Sequence, residues 1–146
     1  MRSGPIPFFL HGIVEYLAAI AFLFAPFVLD FNSDAATYLS VAVGVAVIFV
    51  AATTAGGTSL VNVIPIMIHV VIDYVLAIAL IAFPFIFGFS DENAPTAWFI
   101  TLGVIHLLMT IGTRFLDDGR PGVGVGSLAM GTSVDVEAGE HTVMDD

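Results

Sequence analysis

The sequence predicts an all-α polytopic membrane protein: four transmembrane helices arranged as two tandem two-helix repeats of the same orientation. Three observations carry this. Residues 64–89, IPIMIHVVIDYVLAIALIAFPFIFGF, repeat residues 6–31, IPFFLHGIVEYLAAIAFLFAPFVLDF, at a constant offset of 58, with ten of the 26 positions identical. Apolar stretches of about 20 residues recur along the chain, each long enough to cross about 30 Å of hydrocarbon as a helix. Finally, 58% of the residues are hydrophobic and only 11% charged, which lies far to the apolar side of soluble domains. In lipid the backbone must satisfy its own polar groups, and the short alternating segments of a membrane barrel are absent.

Span 1 is expected at about residues 6–29, with Pro7 in its first turn, where a missing N–H costs nothing. Pro26 should kink or end it. The turn Asp30-Phe31-Asn32-Ser33-Asp34 offers Ser33 or Asp34 as an N-cap for span 2, about residues 35–55, which carries no charge. Gly56-Gly57-Thr58-Ser59 ends that span, and residues 60–64 are read as a flexible connection. Span 3, about residues 65–87, repeats span 1 and ends at Pro84, while span 4 covers about residues 96–115. The bundle is assigned to residues 1–118, with repeat 1 at about 6–55 and repeat 2 at about 64–115. Residues 119–146 are expected to be an acidic, disordered tail. No small-residue cleavage site follows Met1–Ile6, so span 1 is expected to be retained.

Charge sets orientation and partners. Arg2, Arg114 and Arg120 fall on one side of a four-span arrangement, and Asp30, Asp34, Asp91 and Glu92 on the other. The positive-inside rule then puts both termini in the cytoplasm, with the bundle in the cell membrane. A net charge of −10 without a single Lys argues against nucleic acid as a partner and matches the composition of proteins from organisms with molar internal salt. With no Cys, thiolate metal sites and cysteine nucleophiles are excluded. Gly119–Gly126 lacks the phosphate-loop pattern, no serine elbow or zinc-protease motif occurs, and no catalytic residue is assigned.

The informative residues are the polar ones inside the spans. His11 and Glu15 lie four residues apart on one helical face, and His69 and Asp73 reproduce the spacing. Span 4 runs the opposite way and brings His106 to the depth of Asp73 and Tyr74. Gly103, His106, Thr110 and Thr113 form a small or polar stripe facing the interior, with Gly103 read as a packing position beside the structural prolines Pro26 and Pro84. An ionised carboxylate in hydrocarbon costs about 3 kcal/mol or more, so Glu15 and Asp73 need a partner. The leading reading is a buried inter-repeat polar network of His11, Glu15, Tyr16, His69, Asp73, Tyr74 and His106. Three alternatives stand beside it. One is passage or sensing of protons or cations. Another is a transition-metal site drawn from His11, Glu15, His69, Asp73 and His106, or a haem held axially by His11 and His69. The last is a membrane adaptor whose tail recruits a soluble protein. Homo-oligomers are compatible with each reading. Phe31, Phe89, Tyr38 and Trp98 are read as anchors at the outer rim, Arg114 as a snorkelling residue, and His141 as a solvated tail residue.

Around Pro26 and Pro84 the sequence resembles the SPW-repeat family of small integral membrane proteins. Ala25-Pro26-Phe27 and Phe83-Pro84-Phe85 stand where that family has Ser-Pro-Trp. The resemblance implies a membrane location and duplicated two-helix units, and carries no activity with it.

Overall fold

The computed structural model describes residues 4–115. The tail from residue 119, including Arg120 and His141, and also Arg2, lie outside the described residues. The element order is β1 (Ile6–Pro7), α1 (Phe8–Val28), α2 (Asp34–Thr53), α3 (Ile66–Ile86), α4 (Asn93–Gly112) and β2 (Thr113–Arg114). All four helices are 20 or 21 residues long and apolar enough to cross a membrane, about 30 Å each at 1.5 Å per residue. Their outward faces carry Leu17, Phe24, Phe49, Ile78 and Leu108, each more than half exposed. In water this would be a severe liability; in a bilayer it is the lipid-facing surface.

The helices pair as α1 with α2 and α3 with α4, and small residues make both pairings close. A Cβ on Gly44 of α2 would stand 2.8 Å from the Ala19 carbonyl oxygen of α1, and one on Gly103 of α4 would stand 3.1 Å from that of Ala77 and 2.8 Å from Ile81 Cγ1. Ala77 is the repeat of Ala19, and Gly103 lies 59 residues after Gly44. The same contact is thus built twice. Gly103→Leu is expected to pry α4 from α3 at a cost of about 1–3 kcal/mol, measurable as a lower thermal midpoint of the solubilised protein.

The prolines act at both ends of the odd-numbered helices. Pro7 and Pro65 are extended N-cap residues at φ −64° and −60°, one position earlier than the first-turn placement expected of Pro7. At the other end Pro26 and Pro84 stay within the last turn, two residues before the helix stops. The Pro26 carbonyl accepts the Phe31 N–H and the Pro84 carbonyl accepts the Phe89 N–H, each at 3.0 Å. With Asp30 at φ +53° and Gly88 at φ +71°, these are paired Schellman stops. Phe89 is thereby turned inward. It is 1% exposed and packs on Phe99 at 5.3 Å between ring centroids, a core residue where a rim anchor was expected. Ser33 caps α2 by accepting the Ala36 N–H, and Glu92 Oε2 accepts the Asn32 N–H, tying the α1–α2 and α3–α4 turns together.

Ala19, Phe22, Val43, Val47, Leu80, Phe89 and Phe99 form the apolar core. The opposite end of the bundle is closed by backbone pairing that the sequence does not advertise. Ile6 and Pro7 pair in parallel with Thr113 and Arg114, and Ile64 forms a parallel bridge with Thr54. Residues 54–64 are therefore pinned rather than loose: Ala55 N–H donates to Ile64, and Val63 and Ile64 N–H donate to Thr53.

Candidate functional site

α1 and α3 begin just after the prolines, so His11 and His69 sit in their first turns and Glu15 and Asp73 one turn deeper. All four side chains are at most 5% exposed. They converge across the gap between the two helical hairpins. His11 Nε2 stands 3.7 Å from Glu15 Oε1 and 3.4 Å from Asp73 Oδ2. His69 Nε2 stands 3.4 Å from the same Glu15 oxygen and 3.3 Å from the same Asp73 oxygen. One atom from each residue thus belongs to a group whose members all lie within 4.8 Å of one another. This buried network joins the two halves of the chain.

The orientation of both imidazoles is set from the other repeat. His11 Nδ1 lies 2.8 Å from Thr113 Oγ1, and His69 Nδ1 lies 2.9 Å from Thr54 Oγ1. Each threonine hydroxyl has one proton and donates it to the carbonyl four residues back, Thr113 to Met109 and Thr54 to Val50, at 2.6 and 2.7 Å. The hydroxyl oxygen is then left to accept, so Nδ1 carries the hydrogen in both rings. Nε2 is presented to the carboxylates, and neither Nε2 has a hydrogen-bond partner. The Phe8 and Phe115 rings cover this end, 5.7 Å from His69 and 5.4 Å from His11 respectively.

The other predicted positions divide. His106 joins the cluster through Asp73: its Nε2 is 3.6 Å from Asp73 Oδ1, with no hydrogen bond. Thr110 and Thr113 are buried on the same stripe, and Gly103 lies on it at the α3 contact. Tyr16 leaves the cluster and donates to the Thr58 carbonyl at 3.2 Å, while Tyr74 is on the outer surface, 39% exposed. The equivalence of the tyrosines in sequence is therefore not an equivalence of contacts. Arg114 donates from Nε to the Gly4 carbonyl and stays at the edge of the bundle.

The sequence-family model of the SPW repeat domain matches residues 9–113, from the second residue of α1 into β2. The chain belongs to the SPW repeat family. No curated protein and no solved structure matches it. Within this SPW repeat protein Pro26 and Pro84 are helix stops at the α1–α2 and α3–α4 turns, and the polar cluster lies toward the opposite ends of the same helices. Thr54 was missed by sequence reasoning and Thr113 was seen only as part of a stripe. Their correspondence lies at an offset of 59, one residue away from the 58 of the His-bearing helices, and this shift hid the pairing of each threonine with the histidine of the other repeat.

Proposed function

We propose that this SPW repeat protein holds one divalent first-row transition ion inside the membrane, bound by His11 Nε2, Glu15 Oε1, His69 Nε2 and Asp73 Oδ2. The observation that carries this reading is the spacing of those atoms. Four contacts of 3.3–3.7 Å are too long for charge-assisted hydrogen bonds of about 2.7–2.9 Å. They are close to the separation of neighbouring ligand atoms around one ion with bonds of about 2.0–2.2 Å, about 3.3–3.6 Å, and the four atoms all lie within 4.8 Å of one another. The charge balance agrees. Two carboxylates and two neutral imidazoles neutralise a divalent cation, so the loaded centre brings no net charge into hydrocarbon. The donor set, two nitrogens and two oxygens without sulfur, suits Zn²⁺, Fe²⁺ or Mn²⁺. A haem does not suit it, since both carboxylate oxygens stand beside both Nε2 atoms where a porphyrin would have to pass.

The ion would fasten the two hairpins, which belong to repeats of the same orientation in this reading; the reciprocal contacts of the two halves support that arrangement. The bundle, residues 1–118, would lie in the cell membrane with its Arg114 end at the cytoplasm, and the tail from residue 119 would extend from that side. A second reading rests on the same four atoms. If both Nε2 atoms are protonated, the cluster is an ion-pair lock that can exchange protons.

Elemental analysis of gently purified protein separates the two. One equivalent of metal per chain is expected, with Co²⁺ substitution giving the intense visible bands of a tetrahedral site. A metal-free preparation that also refuses added Zn²⁺ and Co²⁺ would leave the ion-pair lock.

A further inference from the structure

The two carboxylates of the cluster are not held alike. Asp73 is met at both oxygens: Oδ2 faces His11 and His69, and Oδ1 faces His106 Nε2 at 3.6 Å. Glu15, among the described residues, is met at Oε1 alone, by the same two imidazoles. The repeat is broken here. At the offset of 59 that relates Thr54 to Thr113, the position matching His106 is Val47, so α4 brings an imidazole to the acid of α3 where α2 has only a valine.

The surroundings differ in the same sense. A cavity of about 40 Å³ lies beside the cluster, with walls from all four helices. His11, Glu15 and His106 make its polar end, and Asp73 does not border it. The volume exceeds the roughly 10–15 Å³ that one water needs and leaves room for a few at most. Asp73 is thus packed in at 1% exposure, while Glu15 has free space at its flank.

We propose that Asp73 is the fixed ligand of the ion and Glu15 the one that lets go. His106 is a positioning residue: it directs its Nε2–H to Asp73 Oδ1 and holds that carboxylate in place, which gives a role to a buried Nε2 that has no hydrogen bond of its own. Released Glu15 turns into the cavity, where water meets its charge, and the ion exchanges through the position it vacates. A carboxylate let go into dry hydrocarbon would be costly, so the cavity governs the rate of exchange without touching the bound state. This inference rests on the metal reading above.

Solubilised full-length protein loaded with Co²⁺ and mixed with excess EDTA reads the release rate as loss of the visible bands. Ala18→Val narrows the cavity that Ala18 lines. It should slow release and uptake together by about tenfold, because only the released state is crowded, and leave the affinity unchanged. His106→Leu frees Asp73 and should weaken Co²⁺ binding about tenfold, whereas His106→Gln, which keeps an N–H donor in place of Nε2, should recover most of it. Release from Ala18→Val at the wild-type rate, or equal losses in His106→Leu and His106→Gln, overturns this assignment while leaving the metal reading intact. If Ala18→Val fails to fold, the His106 pair decides alone. A wild-type protein that takes up no Co²⁺ ends the metal reading and this inference with it.

Discussion

Asp73→Ala is expected to empty the proposed metal centre and loosen the bundle at once. Asp73 lies 3.4, 3.3 and 3.6 Å from three imidazoles and is 1% exposed. In the proposed centre its removal takes away one of four ligands and half of the negative charge that would neutralise the ion. Affinity should therefore fall by more than the about 10–100-fold typical of changes in supporting residues. Even without metal, removing one partner from a buried ionic cluster costs about 3–5 kcal/mol. Elemental content after dialysis, and the temperature at which the solubilised protein loses helicity, read the two effects separately. A variant that keeps one equivalent of metal and the wild-type midpoint would show that Asp73 is not a ligand. If the ion-pair lock is correct, the midpoint falls and added metal changes neither protein.

The second large effect is expected from residues outside the proposed ligand set. In the double variant Thr54→Val, Thr113→Val both hydroxyls that accept the Nδ1–H groups of His69 and His11 are replaced by methyl groups of nearly the same size. The rings lose their orientation and tautomer, while the helix positions and all four ligands remain. Metal affinity should drop about a hundredfold, with little change in helical content. Thr→Ser at both positions keeps the hydroxyl and should restore binding. Competition with a chromophoric chelator measures this directly, and equal affinity in the Val and wild-type proteins would refute the assigned tautomer.

The fold was largely legible because its signals are long and repeated. An offset of 58 over 26 residues, four apolar spans and the prolines at fixed positions point to one architecture, and the four helices follow it to within a few residues. The inter-repeat network was legible for a related reason: charge is costly in lipid, so His11, Glu15, His69 and Asp73 had to find each other. Less visible were features whose signal is weak or reversed by context. β1 and β2 are two residues each, too short for any periodicity. Phe89 looked like an interfacial aromatic, but the Schellman turn after Pro84 directs it into the core. Tyr16 and Tyr74 occupy matching positions, yet only Tyr16 reaches the residue 56–59 turn, which packs on α1 where Gly12 leaves room for Thr58. Val70 stands at the matching place in α3.

The crossed backbone pairing at the Arg114 end has a topological consequence. Ile6 lies against Thr113 just as Ile64 lies against Thr54, so the gap between the last helix and the first is equivalent to one already bridged by residues 55–63. The bundle behaves as a closed loop of four rods that happens to be cut at one of two interchangeable joints. A circularly permuted gene, opened in the 57–62 segment and sealed from residue 115 to residue 4 by a linker of similar length, should yield the same assembly.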